Sequence, residues 1–323
     1  MQLSQTIFID IDKVSVNYDD VVAINQLSLK IKKGEVVSLL GENGAGKSTL
    51  INTILGRCQV NTGSIKIFGE QPGSQAAKVR IGTILQDANL PDNVTVKEQL
   101  NLFRHYYPHA RSLEDLLNIA MLKGIEEKRM NKLSGGQKQR VFFALAICGN
   151  PDIVFLDEPT VGLDTSARKE FWQCIENIKH QGASIILTTH YLEEAEALSD
   201  RILLLNQGNL IWQGTPTEIK NNMTGKKVSF HTSAPKQTIV AFFDSLGSSD
   251  VHTNDTNIEA CDINIQAGKV ECTSQTPEVL LARLFAQKVP LHNLLVEPSK
   301  FEDAVLAMNE QMSNKAVAKE NVA

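Results

Sequence analysis

Gly41-Glu42-Asn43-Gly44-Ala45-Gly46-Lys47-Ser48 is the stretch from which the fold of this chain can be read. It has the spacing G-x-x-x-x-G-K-[ST], follows the apolar run Val36–Leu40 and precedes Thr49–Leu55, which is apolar at helical spacing. Strand, glycine-rich turn and helix in this order predict a loop whose backbone N–H groups curl round a polyphosphate. Glycines spare that curl from Cβ clashes, and a helix starting near Lys47 turns its positive dipole end on the same anion. Lys47 is expected to neutralise the β- and γ-phosphates of a nucleotide, and the Ser48 hydroxyl to ligate Mg2+. The candidate nucleotide-binding residues here are Gly41, Asn43, Gly44, Ala45, Gly46, Lys47, Ser48 and Thr49.

The 323 residues suffice for one large domain, or one large and one small. Apolar residues make up 42% and charged ones 21%, which is enough core for a globular protein with an ordinary surface. Net charge is −5 with no cluster of Lys and Arg, so no direct nucleic-acid partner is expected. Met1–Asp12 lacks a basic stretch followed by a long apolar one, and no secretory signal is expected. No apolar run approaches the ~20 residues that cross a bilayer, so a membrane part would come from another chain. Five scattered cysteines show no metal-ligand spacing and read as reduced thiols of a cytosolic protein.

Outward from the loop, Ile7–Val16 and Val21–Ile31 alternate apolar and polar, predicting two antiparallel strands about the break Asn17–Asp20. Further strands are expected at Gly63–Gly69 and Ile81–Gln86, then helices at Val96–Tyr106, Leu113–Met121 and Gly135–Cys148. The runs Ile153–Leu156 and Ser184–Thr188 have the length and β-branching of fully buried parallel strands, joined by a helix over Ala167–Lys179. A hairpin, Arg201–Asn206 with Asn209–Gly214, closes an α/β domain placed at 1–224. Polar residues and Gly225 mark a boundary near Asn221–Lys227. Residues 225–312 predict a small α+β domain: strand Lys227–Thr232, helix Lys236–Leu246, one or two strands in Asp262–Thr273, helix Pro277–Gln287, strand Leu291–Val296 and helix Ser299–Gln311. The polar tail 313–323 is expected to be disordered.

Two more stretches narrow the chemistry. The run Ile153–Leu156 ends in Asp157-Glu158-Pro159, so a buried strand delivers Asp157 towards a Mg2+ and Glu158 towards an attacking water. Leu133-Ser134-Gly135-Gly136-Gln137 sets two glycines after a serine at a helix start, a second anion-binding geometry without a lysine of its own. On its own, it reads equally as a serine N-cap beside a flexible turn.

The ordered set GENGAGKST, Gln86, LSGGQ, LDEP, Gly162-Leu163-Asp164 and His190 resembles the nucleotide-binding subunit of an ABC transporter, over residues 6 to about 220. The resemblance implies a P-loop NTPase fold with a parallel-sheet core, an antiparallel β subdomain and a helical subdomain. It also implies two ATPase domains, as homodimer or heterodimer, sandwiching two ATP molecules between the loop of one and the LSGGQ of the other. Tyr18 would stack on adenine, though by itself it reads as well as a hairpin tyrosine. Gln86 would reach Mg2+ and the attacking water, its loop touching a membrane permease on a separate chain. Glu158 would be the catalytic carboxylate, with Ser48, Gln86 and Asp157 on the metal and His190 at the γ-phosphate. Ser134, Gly136 and Gln137 would grip the partner's γ-phosphate, Gly135 would belong to the same nucleotide-binding set, and Asp164 would communicate across the dimer.

Val296–Val305 resembles the tail of multidrug, antibiotic and polysaccharide exporter subunits, with Phe301 in place of the usual leucine. Ser299 and Glu302 read equally as a capping box. An ATPase peripheral on the cytoplasmic face of the membrane is therefore expected, with ATP and Mg2+ as cofactors. The alternative is a soluble ABC-type ATPase acting on a ribosome, nucleic acid or protein partner. A P-loop kinase or GTPase leaves LSGGQ and His190 without a role.

Overall fold

The computed structural model describes residues 6–19, 21–85, 90–222, 226–247, 260–266, 268–274 and 276–298. The first alternating stretch folds as β1 (Ile7–Tyr18) and β2 (Val21–Lys32), an antiparallel pair. The turn is tighter than the expected four-residue break. Asn17 and Tyr18 stay in the ladder opposite Val22 and Val21, and Asp19 takes the left-handed bend at φ 49. After β3 (Val36–Leu40), the loop and α1 (Lys47–Ile54), strand β4 (Thr62–Ile67) returns to pair with β1. This gives a three-stranded antiparallel sheet, β2-β1-β4.

The short helix α2 (Gln75–Lys78) precedes β5 (Ile81–Ile84). The helical segment follows as α3 (Val96–Arg104), α4 (Leu113–Ile119), a 3-10 turn at Met130–Lys132 and α5 (Gly135–Ile147). Thr95, Ser112 and Ser134 cap the three α-helices, and Thr95 and Ser134 complete capping boxes with Glu98 and Gln137. The chain then alternates as β6 (Ile153–Asp157), α6 (Thr165–Lys179), β7 (Ser184–Thr189), α7 (Leu192–Leu198), β8 (Arg201–Asn206) and β9 (Asn209–Gly214).

These strands form a six-stranded sheet, β5-β6-β7-β3-β8-β9, parallel but for β9. Its central strands β3, β6 and β7 are buried throughout because each serves two cores. Val154, Leu156, Ile185 and Leu187 point into the core shared with α3–α6, whereas Ile153, Phe155, Ile186 and Leu39 point into the one shared with α1 and β1. The loop residues follow directly from the C-terminal end of β3, between β7 and β8, where α/β sheets place their ligands.

The chain divides into two compact units, Met1–Pro216 and Thr217–Ala323, and α8 (Pro216–Asn222) starts at the join. The second unit contains β10 (Lys226–His231), α9 (Lys236–Gly247), β11 (Ala260–Gln266), β12 (Lys269–Ser274), α10 (Pro277–Ala286) and β13 (His292–Pro298). Asp262–Thr273 thus holds two strands. The order β11-β12-β10-β13, antiparallel throughout, is a ferredoxin-like β-α-β-β-α-β arrangement. Val228, Phe230 and Val270 meet Ile239, Phe242, Leu280 and Leu284 in its core. Lys227 and Lys269 bind the Glu271 carboxylate on the polar face and hold it below the usual carboxylate range. Gln86, the expected helix at 299–311 and the tail at 313–323 lie outside the described residues.

Candidate active site

Gly46 adopts φ 101 immediately before α1, and a Cβ there would stand 2.5 Å from the Ala23 carbonyl oxygen. No other residue fits that turn, which puts Lys47 at the helix start. The Lys47 side chain is 4% exposed. Its Nζ donates to the carbonyls of Gly41 (2.8 Å) and Glu42 (3.0 Å) and lies 3.4 Å from Glu158 Oε1. The buried charge is thereby compensated on three sides.

Ser48 Oγ donates to Asp157 Oδ1 at 3.2 Å, so the loop and the end of β6 meet through two oxygen ligands. Hard oxygen donors of this kind suit Mg2+. The same Oδ1 accepts from Thr188 Oγ1 at 2.5 Å, and Thr188 Oγ1 in turn accepts from the Glu158 N–H at 2.8 Å. Glu158 sits at φ 48, a left-handed conformation costing an L-residue roughly 1–2 kcal/mol. Strain of this kind persists where the surroundings over-determine it, and it clusters at functional sites. A cleft of about 290 Å³ opens beside Asp157 and Glu158, lined also by Leu85, Gln139, Phe142 and Val161.

His190 follows β7, with its Nδ1 buried and without a hydrogen-bond partner among the described residues. Its ring lies 4.0 Å from that of Tyr191, which carries the Arg168 guanidinium at 4.4 Å. Tyr18, 49% exposed at the end of β1, shares a 3.0 Å hydrogen bond with Cys58 Sγ. That bond and the ring's partial burial raise the phenol's pKa.

Ser134 and Gln137 form a separate group at the start of α5. Ser134 Oγ accepts from the Gln137 N–H (3.2 Å), and Gln137 Oε1 accepts from the Ser134 N–H (3.1 Å). This box uses acceptors only, leaving the Ser134 O–H and the Gln137 amide N–H groups as donors for an anion. A Cβ at Gly136 would stand 2.6 Å from that of Ala167, so α5 starts hard against the first turn of α6. Asp164 caps that turn, accepting from the Ala167 N–H at 2.8 Å.

Residues 24–161 match the family model described as ABC transporter. The Nod factor export ATP-binding protein I of Burkholderia orbicola (strain AU 1054) is 34% identical over 307 residues, 93% of this chain and 96% of that protein. The chain belongs to the ABC transporter family. The protein of the same name from Rhizobium meliloti (strain 1021) is 40% identical over 230 residues, 69% of each chain. Among solved structures, an ATP-binding cassette captured as a dimer after hydrolysis, with ADP and Pi, superimposes at TM-score 0.57. It shares 28% identity and covers 64% of this chain and 98% of its own. An ATP-binding subunit of an ABC transporter matches at TM-score 0.59 and 28% identity, over 66% and 92%.

This ABC subunit is therefore an ATP-binding, ATP-hydrolysing protein. Its expected site residues fall into two sets. Lys47, Ser48, Asp157 and Glu158 converge on the loop, while Ser134, Gly136 and Asp164 cluster at the starts of α5 and α6. No hydrogen bond or ion pair among the described residues joins the two sets. Thr188 was not anticipated from sequence. Its signal was a pair of threonines ending an otherwise apolar, fully buried strand.

Proposed function

We propose that this subunit powers an exporter, closing as a dimer on ATP and opening after hydrolysis. The convergence of Lys47, Asp157 and Glu158 on one point, 3.4 Å separating the lysine and the glutamate, is the observation that carries the residue roles. The loop N–H groups and the Lys47 ammonium take the β- and γ-phosphates, and Lys47 exchanges the Glu158 carboxylate for phosphate oxygens. Glu158, released, accepts a proton as the water oxygen bonds to the γ-phosphorus and the bond to the β,γ-bridging oxygen breaks. The orphaned Nδ1 of His190 supports a contact to the γ-phosphate. Ser48 and Asp157, with Gln86 as the sequence expects, would hold a Mg2+, which would supply positive charge to neutralise the phosphates.

The free donors of Ser134 and Gln137 complete the site of a partner ATPase domain, which is why the two sets stand apart in one chain. A permease on a separate chain fits the absence, among the described residues, of any helix long and apolar enough to cross a membrane. Its docking place is the apolar groove of about 270 Å³ between β5 and the helices α3 and α5, lined by Leu90, Phe103, Tyr107 and Phe142. The ATPase is then peripheral, on the cytoplasmic face, with residues 1–224 as the ATPase domain and 225–312 as an accessory one. Export is supported by the likeness to the Burkholderia and Rhizobium relatives, both Nod factor export ATP-binding proteins. Affinity capture of the tagged chain from detergent-solubilised membranes tests this. A polytopic membrane protein in near-equal amount is expected; ribosomes, nucleic acid or no partner would contradict it.

A further inference from the structure

We propose that Thr188 is a positioning residue for hydrolysis, its hydroxyl locking the Asp157–Glu158 step so that the Glu158 carboxylate meets water in one orientation. The inference rests on Glu158 being the group that takes the proton. Thr188 is completely buried in β7, directly across the parallel ladder from Asp157. The three residues before it are Ile185, Ile186 and Leu187, so burial alone would be served by another aliphatic side chain.

Its hydroxyl is instead committed twice. It donates to Asp157 Oδ1 at 2.5 Å and accepts from the Glu158 N–H at 2.8 Å. A hydroxyl has one proton to give, so the two bonds together fix its rotor. They clamp consecutive residues, the first of which also receives Ser48 and the second of which is strained at φ 48. The Pro159 ring disfavours right-handed helical geometry at Glu158, leaving few conformations for the step. Any movement of the Asp157 carboxylate is passed through the Thr188 hydroxyl to the amide that aims Glu158. Without it, the part-buried Glu158 N–H loses its acceptor and Asp157 loses a donor.

The test compares Thr188→Val, which keeps shape and removes the hydroxyl, with Thr188→Ser, which keeps the hydroxyl, each in the full chain and in the Glu158→Gln background. ATP turnover, ATP affinity and the thermal midpoint are read for each. Thr188→Val is expected to lower kcat about tenfold, with KM changed by less than about twofold, because one hydrogen bond's worth of orientation is lost at the chemical step. Thr188→Ser should restore most of the rate. On Glu158→Gln, the valine should add no further loss, since the residue it aims has been disabled. Should the valine chain fail to fold, Thr188→Ala is read in the same way. An unchanged kcat in Thr188→Val beside a disabled Glu158→Gln overturns the role of Thr188 alone, as does a serine no better than valine. A Glu158→Gln chain that hydrolyses at the wild-type rate overturns the reading of Glu158, and this inference with it.

Discussion

Lys47 Nζ, almost fully buried, lies 3.4 Å from Glu158 Oε1, so the residue proposed to hold phosphate and the one proposed to activate water are paired with each other. Truncating one member of such a pair leaves the other charge without compensation. Glu158 remains partly exposed at 12%, which moderates the cost. We expect Lys47→Met to lower unfolding stability by roughly 1–3 kcal/mol and the double variant with Glu158→Gln to lower it less, as measured by urea titration. The same Lys47→Met chain should bind ATP roughly a hundredfold more weakly, since a charge-assisted contact to phosphate is worth about 1.5–3 kcal/mol.

Gly136 is pinned by packing, with Ala167 2.6 Å from where its Cβ would be. Gly136→Ala should destabilise the chain by about 1–3 kcal/mol through overpacking at the starts of α5 and α6. Pairing it with Ala167→Gly removes the clash, and urea midpoints should recover accordingly. Equal loss in the single and double variants would place the cost elsewhere.

Burial pushes the thiol of Cys148 up to about 11 and those of Cys174 and Cys272 up to about 12. A brief alkylation of the native chain at pH 8 should therefore leave these three unmodified, while Cys58, partly accessible beside Tyr18, reacts. Their effect on stability has a definite sign. Unfolded thiols ionise near 9.0, the folded ones only near 11 to 12, so the unfolded chain holds fewer protons in between. The stabilisation is complete below pH 9 and is lost as pH rises through the folded values. Denaturation midpoints against pH check this, and the Cys148→Ala and Cys174→Ala variants should flatten the fall.

Much of the first unit was legible because its signals are local. The loop needs glycine at a turn of φ 101, Ser134 and Gln137 form a capping box readable from their spacing, and β6 and β7 carry the apolar runs Ile153–Leu156 and Ile185–Leu187. The expected helices α3, α4 and α5 ran one or two residues long, because their last turns close with caps that periodicity does not register. Helix α7 was not anticipated: Leu192–Leu198 is short and acidic, and its apolar contacts are set by the sheet beneath. The ferredoxin-like order of the second unit was equally hidden, since β10 pairs with β12 and β13, far along the chain. Thr188 escaped notice for the same reason, its partners being 30 and 31 residues away.

The measurement that bears most directly on the account is ATP turnover by the Glu158→Gln chain, with its ATP affinity and its size in solution recorded with Mg-ATP present. Turnover should fall by about 10²–10⁴-fold, the range a positioned general base contributes. ATP should still bind, because Lys47 and the loop are untouched and lose only a competing carboxylate. The chain should accumulate as an ATP-bound dimer. Wild-type hydrolysis in this variant, or loss of ATP binding with no dimer formed, would contradict the account.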